Sequence, residues 1–171
     1  MTKQNQQSAI SNQQFLILGI DPGLVKTGWG VISHEKGVLK FIACGQIKTN
    51  DKMSLCQRLG ILSAELKKVI TKYDPDEAAI EETFVSKSGQ STLKLGQARG
   101  ALILTVSQAG LQLAEYAANL VKKTVTGSGH AEKTQVQAMV KVLLPHAKFD
   151  NADAADALAV AICHSSYFKK L

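Results

Sequence analysis

The spacing of apolar and polar residues changes along this chain, and each change marks an element. Phe15 to Asp21 (FLILGID) is a short apolar run that ends in an acid and meets Pro22–Gly23, the pattern of a buried strand stopped by turn chemistry. Gly28 to Ser33 and Val38 to Ile47 read as two more strands, joined by a turn over His34–Glu35–Lys36–Gly37. Connections this short predict an antiparallel meander. From Ser54 to Tyr73 the period lengthens, and Leu55, Leu59, Leu62, Leu66, Val69 and Ile70 share one side of a helix that Asp74–Pro75 ends. Asp76 to Glu81 is a fourth strand, again closed by an acid. Thr83 to Gln90 reads as a loop, Ser91 to Ala109 as a helix and Leu111 to Tyr116 as a fifth strand. Lys122 to His130 (KKTVTGSGH) has the composition of a basic, glycine-bearing loop. Ala131 to Leu144 is a helix stopped at Pro145, and Ala152 to about Phe168 is the last. This order predicts an α/β fold: a five-stranded mixed sheet with three antiparallel N-terminal strands, flanked by helices. Residues 15–171 are expected to form a single domain behind a flexible polar leader over residues 1–14.

Composition narrows the class. With 171 residues, 45% hydrophobic and 20% charged, the chain can bury a real core and is neither disordered throughout nor collagen-like. Its apolar stretches break well before the roughly 18 residues a membrane span needs. The leader lacks the apolar core of a secretory signal, so a cytoplasmic protein is expected. Cys44, Cys56 and Cys163 make an odd count without a CxxC pair and read as reduced, partly buried thiols. The net charge of +6 favours a polyanionic partner only weakly. Its distribution says more: Lys87, Lys94 and Arg99 follow one expected loop, and Lys122, Lys123 and Lys133 bracket another.

Four acids stand out. Asp21 and Glu81 each close a strand, and ligands favour the crevice at the carboxyl ends of sheet strands. Asp153 and Asp156 lie three apart, so on a helix their Cβ atoms stand about 5–6 Å from each other, and the alanines around them allow close packing. Each acid alone has a plainer explanation. Asp21 precedes Pro-Gly and suits a turn; Asp153 suits a helix cap or a first-turn acid, and Asp156 the positive end of the helix dipole. Strand alternation does not choose between Glu81 and Glu82. Taken together, four converging carboxylates would repel one another and stay protonated unless divalent cations were bound. Oxygen-only ligands suit Mg²⁺ or Mn²⁺, and two ions about 3.5–4 Å apart clamp the oxygens of a phosphoryl displacement.

Other chemistries find no support. The chain carries no GxSxG elbow, Walker loop or HExxH helix. His34 falls in the expected turn, and His130, His146 and His164 are scattered. His164 lies eight residues beyond Asp156, about 12 Å along a helix, too far to share a metal.

The strings LGIDPG (18–23) with TGWGV (27–31), AIEETF (79–84), LKLGQARG (93–100), EYAANLVKKTVTG (115–127), AEKTQVQ (131–137) and ADAADALAVA (152–161) run in order through nearly the whole chain. In them the sequence resembles the RuvC family of Holliday-junction resolvases, which have a ribonuclease H-like fold. The resemblance implies that Asp21, Glu81, Asp153 and Asp156 are the catalytic, metal-holding acids, and it selects Glu81 over Glu82. It implies that Phe84 contacts bases at the junction and that Lys122 and Lys133 serve DNA binding or catalysis; Lys87, in the Phe84 loop, is taken as another DNA contact. It further implies two Mg²⁺ ions per site, replaceable by Mn²⁺, a homodimer that nicks four-way junction DNA in paired, symmetric fashion during recombination and repair, and work alongside the RuvA and RuvB branch-migration complex. Two rivals stand beside it: another ribonuclease H-like nuclease or ATPase fragment, and a junction-binding module without catalysis. The apolar residues around helix 91–109 fit either a dimer interface or burial under the sheet.

Overall fold

The structure is a computed structural model that describes residues 14–83 and 88–167. Almost all of the expected leader, together with Phe84 and Lys87, lies outside the described residues. The elements are β1 (Phe15–Asp21), β2 (Lys26–Glu35), β3 (Val38–Lys48), α1 (Leu55–Tyr73), β4 (Glu77–Glu81), α2 (Gly89–Gln108), β5 (Gln112–Tyr116), α3 (Ala118–Thr126), α4 (Lys133–Leu143) and α5 (Ala152–Tyr167).

The strands form one sheet in the order β3-β2-β1-β4-β5. β1, β2 and β3 pair antiparallel, whereas β4 runs parallel to both β1 and β5, giving the expected mixed sheet. The first hairpin is tighter than expected. His34 and Glu35 stay in β2, and the turn is Lys36–Gly37, both at positive φ (50° and 82°). That is the two-residue geometry whose twist matches the strands it joins.

Both faces of the sheet are covered. In β1, Ile17 points into one core while Leu18 and Ile20 point into the other. α1 and α2 cover one face with Leu62, Leu66, Ile70, Leu102 and Val106. α5 covers the other, backed by Val121 of α3 and Val136 and Val140 of α4. α1 starts with a capping box between Ser54 and Gln57, which satisfies two otherwise orphaned N–H groups.

α5 is buried on nearly every side from Ala154 to Ser165. It reaches the sheet because the strands present glycines to it. A Cβ added to Gly19 would collide with the carbonyl oxygen of Ala157 and fall 2.7 Å from the backbone nitrogen of Ala161. One added to Gly28 would strike the carbonyl oxygen of Asp153, and one on Gly30 would meet the Leu158 side chain at 2.7 Å. Helix backbone therefore rests on strand backbone.

Two expectations need correction, and a third resolves between its alternatives. Residues 118–126, half of which fell in the expected basic loop, form α3. Its Val121 and Val125 are buried four residues apart, and Gly127, at φ 82°, is its left-handed C-cap rather than a loop glycine. Asp153 is the acid in the first turn of α5 rather than its cap, because Asn151 Oδ1 accepts from the Ala154 N–H at 2.9 Å. Of the thiols, Cys163 is buried and Cys44 half-buried, but Cys56 is exposed. His164 is a core histidine: its Nε2 lies 2.7 Å from Glu77 Oε2 and its Nδ1 2.9 Å from the Tyr116 hydroxyl. Helix α2 buries Ala98, Leu102, Thr105 and Val106 yet leaves Leu93 and Leu104 more than half exposed. Among the described residues, no helix is long and apolar enough to cross a membrane.

Candidate active site

Parallel pairing sets Ile20 of β1 beside Ile80 of β4, so the next residues, Asp21 and Glu81, leave the sheet side by side. Glu82 points away and is exposed. α5 passes over the same end of the sheet and brings Asp156 to these two acids. Together with Lys122 of α3 and Lys133 of α4 they line a cleft of about 260 Å³. Val121 and Val136 form part of its wall and limit the water around the carboxylates.

Asp153 stands at the outer edge. Asp21, Gly28 and Gln46 form one row across β1, β2 and β3, and the absent side chain of Gly28 lets the Asp153 backbone lie on that row. There the Gln46 side-chain amide donates to Asp153 Oδ2. Asp156 has a different partner, with Lys133 Nζ 2.6 Å from its Oδ2.

Electrostatics bind the four acids into one system. Burial, then the charges of Glu81, Asp156 and Asp153, push the Asp21 carboxyl up to about 8, against a smaller opposing pull from Lys133. Burial and Asp156 push Glu81 up to about 7, although Lys122 and Lys133 pull it back. Asp156 is raised by burial despite its hydrogen bond from Lys133. That same hydrogen bond chiefly raises Lys133. Crowded, half-dry carboxylates keep protons at neutral pH unless a cation joins them.

Among the described residues, no three His, Cys, Asp or Glu side chains stand close enough to hold an ion as they are placed. Gln46 and Lys133 engage two of the acids instead. The donor set itself suits a hard divalent ion, being all oxygen, and an added positive charge would relieve the repulsion that raises Asp21 and Glu81. A larger groove of about 470 Å³ between β3 and α1 offers no such chemistry. Its single carboxylate, Glu65, is already paired with Lys68 at 2.6 Å.

The structure thus gathers Asp21, Glu81, Asp156, Lys122 and Lys133 around one cleft and sets Asp153 at its rim. Of two further residues, one carries no signal in the sequence and the other shows there only as part of a basic group. Gln46 is invisible there because its position depends on strand register, which shifts at a bulge between Val31 and Ile32. Arg99 looks like a surface cation, but its Nε donates to the Glu81 carbonyl at 3.2 Å and its guanidinium pairs with Glu115. It fixes the end of β4 from which Glu81 projects.

Comparison with known proteins agrees with this architecture. The family model described as "Crossover junction endodeoxyribonuclease RuvC" matches residues 17–164. The chain is 57% identical over 151 residues to the crossover junction endodeoxyribonuclease RuvC of Methylorubrum extorquens (strain PA1), spanning 88% of this chain and 80% of that protein. It is 55% identical over 157 residues to that of Rhodopseudomonas palustris (strain BisA53), spanning 92% and 90%. Among solved structures, T. thermophilus RuvC in complex with Holliday junction substrate superposes with a TM-score of 0.83 at 30% identity, over 90% of this chain and 94% of that one. The sheet order, the helical layers and these matches place the fold in the ribonuclease H-like class, and the chain belongs to the RuvC family of crossover junction endodeoxyribonucleases.

Proposed function

We propose that this protein resolves four-way DNA junctions by hydrolysing phosphodiesters at the cleft between Asp21, Glu81, Asp153 and Asp156. The observation that carries the reading is the convergence of acids from β1, β4 and α5 on one half-dry cleft flanked by Lys122 and Lys133. Mg²⁺, with Mn²⁺ as a substitute, is the ion these oxygens would hold, and bound ions of this kind activate water and stabilise the leaving oxygen. The chain's own groups do the rest. Lys133 neutralises Asp156 until a phosphate arrives to take its charge, and Lys122 faces the same phosphate. Val121 and Val136 keep the cleft dry, which strengthens each charge interaction inside it. Arg99 and Gln46 fix the end of β4 and the Asp153 carboxylate.

Paired, symmetric nicks require two such sites. The exposed Leu93 and Leu104 of α2 support assembly as a homodimer, with RuvA and RuvB delivering the junction. Synthetic four-way and linear duplex DNA, each with and without Mg²⁺, test the reading. Nicks confined to the junction and to the Mg²⁺ lanes are expected; equal cutting of linear duplex would remove it.

Phe84, outside the described residues, is assigned to stacking on an unpaired base near the crossover, an interaction worth ~1–3 kcal/mol. Phe84→Ala is expected to slow junction cleavage tenfold or more, at ~1.4 kcal/mol per decade, with little change in melting temperature. Phe84→Trp should restore most of the rate. A melting-point loss in the alanine variant matching ~3 kcal/mol would mark the ring as a core anchor instead.

A further inference from the structure

Lys26 and Lys48 form the last rung of the β2–β3 pair, directly opposite each other in register, and both are exposed. Like charges facing each other across an antiparallel pair are destabilising. None of the ion pairs among the described residues involves either lysine. The nearest acid in the following turn, Asp51, is exposed.

A third cation stands behind them. Arg58, in the first turn of α1, is only 9% exposed, and its Nη2 has no hydrogen-bond partner. Its Nε donates to Thr49 Oγ1 at 2.9 Å. Thr49 in turn donates through its hydroxyl to the Leu24 carbonyl at 2.5 Å and through its N–H to the Val25 carbonyl at 3.0 Å. Arg58 therefore ties the residue after Lys48 to the residues before Lys26, and holds a buried positive charge there with no ion-pair partner among the described residues. The N-terminus of α1 adds the positive end of its dipole to the same corner.

The position of this corner gives it a use. Two residues along the strands lies the Gly28–Gln46 rung, which touches Asp153. Strand alternation puts Lys26 and Lys48 on that same face, about 7 Å farther out at ~3.3–3.4 Å per residue. Lys122 and Lys133 line the cleft with Asp21, Glu81 and Asp156, whereas Asp153, on the Gly28–Gln46 rung, is not among its lining residues. We infer that Lys26 and Lys48 hold a backbone phosphate of the strand being cut, next to the scissile one and on the flank away from Lys122 and Lys133. This rests on the nuclease reading above. The lysines touch phosphate alone, so they position the strand without reading its sequence.

The test compares wild type with Lys26→Gln/Lys48→Gln, measuring affinity for a synthetic four-way junction between 50 and 200 mM salt without Mg²⁺. Ethylation interference along the cut strand is mapped on the same complexes. The double variant is expected to melt no lower than wild type, since a repulsive pair is gone. Its slope of log K against log salt should become shallower by about 1 for each phosphate that the lysines no longer neutralise, and interference at one phosphate beside the scissile one should disappear. An unchanged slope and interference pattern, with wild type binding normally, overturns the assignment of the lysines alone. Wild type that does not bind the junction at all overturns the nuclease reading and the lysine ledge with it.

Discussion

Asparagine in place of Asp21 is expected to abolish nicking and, in metal-free protein, to raise thermal stability at pH 8. The two effects share one cause. Folding lifts the Asp21 carboxyl from its ordinary 3.8 to about 8 by burial and by the charges of Glu81, Asp156 and Asp153. Below pH 4 the group is protonated in both folded and unfolded chains, and nothing is lost. Between pH 4 and 8 the unfolded chain is ionised while the folded one keeps its proton, so stability falls as pH rises, by up to ~1.4 kcal/mol per pH unit. Asparagine carries no charge at any pH and escapes that slope. Its melting temperature at pH 8 should exceed that of wild type by roughly 5 °C or more, at ~2–4 °C per kcal/mol for a domain of this size. Cleavage, which on the proposed site uses the ionised carboxylate, should fall by at least ~10³-fold, corresponding to several kcal/mol of barrier. Junction binding should persist or tighten slightly, because a negative charge beside the phosphate is gone. A variant that nicks normally with Mg²⁺, or that melts with the same pH dependence as wild type, would refute the coupled four-acid site.

The second large effect is expected from a single methyl group on the sheet. Gly28→Ala would drive a Cβ into the carbonyl oxygen of Asp153, and Gly19→Ala would do the same at Ala157. The obstacle in both cases is backbone, which cannot rotate aside, so α5 must lift. Overpacking of this kind typically costs ~1–3 kcal/mol and occasionally more, a fall of roughly 6–12 °C at the upper figure. The two variants should differ in activity. Gly28 lies under Asp153 itself, and a displacement of about 1 Å at the chemistry costs ~10²-fold in rate. Gly19→Ala acts a turn farther along α5 and should lose stability at least as much as rate. Gly60→Ala is the control: that glycine is in α1 with nothing near its missing side chain, and alanine there should stabilise by up to ~1 kcal/mol. Melting curves and single-turnover nicking on the three variants decide the matter. A Gly28→Ala protein as stable and active as wild type would mean that α5 is not held against the strand backbone.

The elements most legible in the sequence are those whose pattern and packing agree. β1 reads as a buried strand because it is covered on both faces, and α1 reads as a helix because Leu62, Leu66, Val69 and Ile70 fall on its buried side. α3 is obscured because Thr124, Thr126 and Gly127 look like turn residues. In the fold the two hydroxyls donate back to the Leu120 and Lys122 carbonyls at 2.8 Å each, and the glycine merely ends the helix. The acids at strand ends can be located by position, but their convergence depends on strand order. β4 inserts beside β1 rather than beside β3, and no local pattern reports that. Glu81 is separable from Glu82 only through family resemblance; in the fold, pairing of β4 with both neighbours turns Glu81 into the cleft. Gln46 and Arg99 act through bonds made across 107 and 18 residues of sequence, beyond the reach of spacing arguments.

The burial of α5 has a consequence for the timing of activity during synthesis. Asp21 and Glu81 leave the ribosome early, on strands that can pair with each other, whereas Asp153 and Asp156 arrive on the last described helix. Until that helix docks, one sheet face lacks its cover and the acid set is half complete. On the four-acid site proposed above, a nascent chain carries no complete set of acids, and cutting would switch on in the same event that seals the core.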